Sequence, residues 1–160
     1  RTQRKPLSDG VYIKGFIEGT PVMFTTDTGA TCTVISDKIY NNIPEGQRPV
    51  LEQSSNLSGP GGTQLNVWGK ALFKLKLGDL YLEKVLFVAE IQDEALLGVD
   101  ILQKGEHGPA DILLSKNTII LEKHEIPCIQ IGNENFVRKV IAADDFVIPA
   151  QSEAVIDVFI

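Results

Sequence analysis

The 160-residue sequence is poor in the residues that build metal and disulfide sites. It has two cysteines, Cys32 and Cys128, and two histidines, His107 and His124. Two distant thiols make no disulfide framework, and neither histidine has companions at ligand spacing, which argues against a zinc site. The better reading is of reduced thiols in a cytosolic-type protein. No apolar run approaches the ~20 residues of a membrane span, and no signal peptide is recognisable. Positive charge is also scarce: 15 Lys and Arg face 21 Asp and Glu, a net charge of −6. Phosphate binding needs clustered cations, so a nucleic-acid surface is not expected. The one basic cluster, Arg1, Arg4 and Lys5, reads as a solvated tail. Long amphipathic helical patterns and internal repeats are missing as well.

What is present is β-strand texture. "GVYIKGFIEGTPVMFTT" reads as a hairpin with its turn at Glu18-Gly19-Thr20-Pro21. A short strand follows at Thr33 to Ile35, and Ser36 can cap a short helix from Asp37 to about Asn42. A further strand is expected over residues 50–55, then a Gly-rich tip, "LSGPGGTQ", and a returning strand from Leu65. "KALFKLKLG" alternates apolar and polar with period two, the mark of a half-buried strand, and "LYLEKVLFVAEI" is another. "ALLGVDILQKG" starts as a strand and turns into a short helix ending at Gly105. "ADILLSKNTIILEKHEIPCIQI" supplies more short strands. The expected fold class is therefore all-β, with one or two short helices. After Gly132 charge rises and Pro149 breaks the pattern. Residues 1–8 read as a linker, 9–131 as the domain, and 132–160 as a C-terminal β extension or linker. Both ends read as cut from a longer polypeptide.

One stretch is anomalous. "FTTDTGATCTVIS" interrupts a β-forming run with Asp27-Thr28-Gly29 and then resumes it. Asp and Gly are turn residues, so a plain turn is the simplest account. The flanks Met23, Phe24, Val34 and Ile35, however, lead the chain into the interior. A buried carboxylate without a partner costs several kcal/mol or takes up a proton. Two companions strengthen the case. Gly59-Pro60-Gly61-Gly62 forms a tip whose backbone can lie against a ligand. Leu96-Leu97-Gly98 allows close backbone packing beneath another loop.

Together and in this order, the three motifs resemble the retroviral-type aspartic proteases, the retropepsins. The resemblance covers roughly residues 9–131 and is strongest to the protease region of Pol polyproteins from gypsy-class long-terminal-repeat retrotransposons. It implies a half-pepsin closed β-barrel with a β-hairpin flap, and an aspartic endopeptidase that processes polyprotein at extended, apolar sites without cofactor or metal. Only one Asp-Thr-Gly is present, and no other Asp is followed by Thr-Gly or Ser-Gly. The second carboxylate must then come from a second copy of the chain, across a two-fold axis. Asp27, Thr28 and Gly29 are the implied catalytic loop, Thr28 reaching the partner loop. Ala30, Thr31 and Cys32 would line the cleft, Gly59, Gly61 and Gly62 would form the flap tip, and Leu96, Leu97 and Gly98 would pack under the loop, Leu96 walling a pocket beside the scissile bond.

Many viral members pair an Asp two residues after the motif Gly with an Arg after the second Gly. Here those positions are Thr31 and Val99, so both partners of that ion pair are absent together. The dimer interface is expected from residues 110–114 and 118–121. The resemblance also implies a cytoplasmic location, free or within retrotransposon virus-like particles, with no nucleic-acid or membrane partner for this domain. The alternative is a catalytically silent retropepsin-like dimerisation or binding module.

Overall fold

A computed structural model describes residues 9–53 and 65–132. The body Val11–Ile129 starts from a hairpin of β1 (Gly10–Ile17) and β2 (Thr20–Thr26). Its turn is two residues long, Glu18-Gly19, both at positive φ (49° and 80°). That backbone matches the twist of the flanking strands. Thr20 and Pro21 already belong to β2, which places the turn earlier than the sequence suggested.

After β3 (Val34–Ser36) comes α1 (Asp37–Asn42). Ser36 is its N-cap, accepting the Lys38 N–H at 3.1 Å as expected. The strand expected over residues 50–55 does not form in its described part. Val50 is 88% exposed, and only Glu52 pairs, exchanging two backbone hydrogen bonds with Lys70. Val50 faces water, while Leu51 is half-buried against the core without joining a strand.

The long antiparallel hairpin β4 (Val67–Leu77) and β5 (Leu80–Ala89) supplies the barrel wall. Its alternation is clean: Ala71, Phe73, Leu75 and Leu77 point inward, and Leu72 and Lys74 point out. The short β6 (Ala95–Leu97) leads into α2 (Val99–Leu102), which stops at Leu102 rather than Gly105. β7 (Asp111–Leu113), β8 (Thr118–Leu121) and β9 (His124–Pro127) form a separate antiparallel sheet in that order, and β10 (Ile129–Ile131) is the last strand.

Six strands close into a barrel in the order β1-β2-β6-β3-β5-β4, with β4 pairing back on β1. The seam demands a glycine at Gly15, where an added Cβ would sit 2.5 Å from the Lys76 carbonyl oxygen. The barrel is filled by Ile13, Ile17, Phe24, Ile35, Phe73, Leu75, Leu86, Leu97 and Ile101. The fold is thus the mostly-β closed barrel with two short helices that the sequence led us to expect. For function the key feature is β6. It runs parallel to β2 (Phe24↔Ala95, Thr25↔Leu96, Thr26↔Leu97) and antiparallel to β3. The chain leaving β2 must therefore cross the C-terminal end of β6 to reach β3.

Candidate active site

That crossing is the Asp-Thr-Gly loop. It is sewn to the end of β6 and to the start of α2: the Asp27 N–H donates to the Leu97 carbonyl, and the Val99 N–H donates to the Ala30 carbonyl, each at 2.9 Å. Within the loop, Ala30 N–H reaches the Asp27 carbonyl at 3.1 Å. Asp27 Oδ1 accepts the Gly29 N–H at 2.9 Å. The carboxylate is thereby held by its own loop through Oδ1.

Gly98 allows this packing. A Cβ there would lie 2.7 Å from the Ala30 carbonyl oxygen and 2.8 Å from that of Cys32. No side chain fits between Gly98 and the loop. Leu97 is fully buried and meets the loop through its carbonyl, while Leu96 is half-buried. The flanks Phe24 and Val34 enter the core as expected. The loop tip does not: Asp27 is half-buried, Thr28, Gly29 and Thr31 are exposed, and Ala30 and Cys32 are half-buried. Burial stops at Phe24 and resumes at Thr33 because the loop overhangs the end of β6. The Thr31 hydroxyl points to the Cys32 sulfur at 3.8 Å, and Cys32 is a free thiol. Gly59, Gly61 and Gly62 lie outside the described residues.

Three supporting residues have no motif to announce them. Thr33 is fully buried; its hydroxyl accepts the Gly98 N–H at 3.0 Å and donates to Asp100 Oδ1 at 2.7 Å. Asp100 Oδ2 accepts the Thr33 N–H at 3.0 Å. This clamp braces the region where Thr31 and Val99 leave no ion pair. Glu94 fastens the other end of β6: its Oε1 accepts the Met23 N–H at 2.8 Å, and its carbonyl accepts the Ser36 N–H at 2.9 Å. An acid two residues beyond Gly98, at the start of a short helix, was the available signal for Asp100.

Beside Glu94 lies Asp93, in the bend joining β5 to β6. Burial pushes its carboxyl above the ordinary carboxylate range, and the nearby Asp27 charge adds to the rise. The two acids therefore share one electrostatic neighbourhood. Far from the loop, Glu122 clamps the 105–108 turn through the Glu106 and His107 N–H groups, with His107 Nδ1 at 3.4 Å.

Residues 13–104, more than half of the chain, match the family model described as "gag-polyprotein putative aspartyl protease". The chain belongs to this family. Its retropepsin-like aspartic protease domain has structural relatives that fit. It is similar to the retroviral protease-like domain of Ddi1 from Leishmania major, at TM-score 0.61 and 16% identity, covering 77% of this chain and 96% of that one. It is also similar to the EIAV protease in complex with an inhibitor, at TM-score 0.53 and 26% identity, covering 64% of this chain and 91% of that one.

Proposed function

We propose that the chain is an aspartic endopeptidase, active as a homodimer, with Asp27 of two copies forming one site. The observation that carries this reading is the fixed loop: Asp27 is oriented by the Gly29 N–H and is only half-buried. A single carboxylate of this kind can hold a water but cannot also protonate the carbonyl it attacks. In the dimer the two carboxyls share one proton, since close like charges do not both ionise. The ionised Asp27 takes a proton from water as the water oxygen bonds to the peptide carbonyl carbon. The other Asp27 gives its proton to the carbonyl oxygen. Collapse of the tetrahedral adduct breaks the C–N bond: the amine leaves with the proton the first Asp27 took from water, and a hydroxyl proton of the adduct returns to the second Asp27.

The substrate in this reading is an extended, largely apolar stretch of polyprotein, which suits a β-lined cleft. Ala30, Thr31, Cys32 and Leu96 line it. Of the two segments expected at the dimer interface, β7 suits the role better. It is the outer strand of its sheet, with Ile112 37% and Leu114 47% exposed at or beside it. β8 is paired on both sides and buries Ile119 and Leu121, so it has no free edge to offer. A gypsy-class retrotransposon polyprotein, acting in the cytoplasm or in virus-like particles, is the biological setting we infer.

The test is cleavage of an unstructured, apolar-rich protein by the parent chain and by Asp27→Asn, from pH 4 to 7 and across protein concentration. We expect activity in the parent that rises faster than linearly with concentration and is lost in the variant. Dimer by sedimentation without cleavage would instead indicate a silent dimerisation module.

A further inference from the structure

One face of the barrel wall carries apolar side chains that the core does not use. Among the described residues eight large apolar side chains are exposed, and four of them, Phe16, Leu72, Tyr81 and Val85, gather there. The register shows why. Phe16 lies opposite Lys76, Lys76 opposite Tyr81, and Leu72 opposite Val85, so β1, β4 and β5 turn these residues outward together. Phe73, Leu75 and Leu77, at the alternate positions of β4, fill the inside. Lys76 lies over both rings, its Nζ 5.8 Å from the Phe16 centroid and 5.5 Å from that of Tyr81. Beside them opens a cavity of about 640 Å³, walled by Phe16, Glu18, Lys74, Lys76, Tyr81 and by Gln47 from the 3-10 turn Glu45–Gln47. A cavity of this size holds a ligand group. The one acid in its wall is already committed, Glu18 Oε2 accepting the Lys74 N–H at 2.8 Å. Glu83 stands across from Lys74 in the register, yet neither Lys74 nor Lys76 has an ion pair among the described residues.

We propose that this face docks a peptide segment that carries carboxylates among aromatic or aliphatic side chains. Charge complementarity names the partner. The chain as a whole has a net charge of −6, yet here two lysines stand without a matching carboxylate. A carboxylate in the cavity gains charge-assisted contacts to Lys74 and Lys76, and apolar side chains beside it cover the exposed rings. A nucleic-acid backbone would use the lysines but not the four apolar side chains, and would meet the overall negative charge. A second copy of the same face would bring lysines to lysines. The patch is also longer than a small ligand. From the Lys76–Tyr81 pair to the Leu72–Val85 pair is four positions along β4, about 13 Å of strand. The site lies away from the Asp27 loop. β2 (Thr20–Thr26) separates the turn at Glu18 from Asp27, about 23 Å at about 3.3 Å per residue. The docking site therefore does not depend on the endopeptidase reading. In a substrate that carries such a segment, it would raise the effective concentration of a cleavage site further along the same chain.

The probe is a short fluorescein-labelled peptide of Asp, Phe and Leu, with a counterpart in which Asn replaces every Asp. Binding to the full chain is followed by anisotropy and mapped by amide shifts of the nitrogen-15-labelled protein. We expect saturable binding with shifts centred on Phe16, Lys74, Lys76 and Tyr81. It should weaken roughly ten-fold or more with the Asn peptide and in the Lys74→Gln/Lys76→Gln variant. Tyr81→Ala, which keeps both charges, should weaken it as well. All three positions lie on the outer face, and an unchanged melting curve verifies that the variants fold. Equal affinity for the parent and the double-lysine variant overturns the proposal, as does a lack of saturation up to about 1 mM peptide. Shifts centred on residues 27–32 place the peptide in the candidate cleft and overturn it too. Shifts at the docking face on concentrating the protein alone assign that face to a second copy. Binding to phosphatidylserine vesicles without binding to peptide assigns it to a membrane. Either result overturns the peptide assignment. Every readout is binding, so failure of the endopeptidase reading, which the Asp27→Asn cleavage assay detects, is distinguishable from failure of the docking site.

Discussion

Asp100 holds Thr33 with both carboxylate oxygens, Oδ1 on the hydroxyl at 2.7 Å and Oδ2 on the N–H at 3.0 Å. Through the same hydroxyl Thr33 holds the Gly98 N–H. One side chain thus joins the end of β6, the start of α2 and the segment entering β3. Replacing Thr33 with Val keeps the shape and removes the hydroxyl. It leaves the buried Gly98 N–H without its acceptor and one Asp100 oxygen without its donor. We expect a loss of about 1–3 kcal/mol, the cost of an unsatisfied buried group. Urea unfolding should show a lower midpoint with an unchanged slope.

Gly98→Ala should cost more than a single methyl suggests. The added carbon meets backbone oxygens of Ala30 and Cys32, and neither can rotate away. Relief requires moving the Asp27 loop off β6, which stretches the Asp27–Leu97 and Val99–Ala30 hydrogen bonds. Overpacking of this kind costs about 1–3 kcal/mol. Cleavage in the dimer assay should fall further than stability does, because the strain falls on the loop itself.

Glu122 gives a stability signature in acid. The His107 N–H is the foremost of the contacts that hold its carboxyl below the ordinary range. A depressed carboxylate stabilises the fold above its unfolded-state pKa, and the contribution is lost as pH falls through the folded-state value. The difference in melting temperature between the parent and Glu122→Gln should therefore be largest near neutrality. It should shrink below about pH 4, where the carboxylate protonates in both states.

Asp93 gives the opposite sign. Its carboxyl is raised by burial and by the Asp27 charge. The neutral form is favoured by the fold, so its contribution is present below the unfolded-state pKa and lost as pH rises through the folded-state value. Asp93→Asn should raise the melting temperature at neutral pH, and the gain should fade on acidification. A variant less stable than the parent at pH 7 would contradict the stated surroundings of Asp93.

The elements legible in the sequence are those whose cause is local. Ser36 before Asp37 announced the helix cap. The strict alternation of Ala71, Phe73, Leu75 and Leu77 announced β4. The Asp-Thr-Gly, Leu-Leu-Gly order pointed to the loop and to what lies beneath it. Long-range polar partners were not legible. Thr33 and Asp100 are 67 residues apart, and Met23 and Glu94 are 71 apart. No periodicity links such positions; only the sheet order brings them together. Val50 and Leu51 misled for the converse reason: their β-forming character is local, but no neighbouring strand runs alongside except at Glu52.

The parallel pairing of β2 with β6 also imposes an order on synthesis. Thr26 finds its neighbour Leu97, and Thr33 its clamp Asp100, only after some seventy later residues exist, Thr33 and Asp100 lying 67 positions apart. The β1–β2 hairpin can form as soon as it leaves the ribosome, but the loop that follows it has nothing to rest on until the chain has passed Asp100. Closing so long a loop is also slow, since its entropy must be met before any contact rewards it. The carboxylate made early is thus among the last groups to reach its final place in the fold.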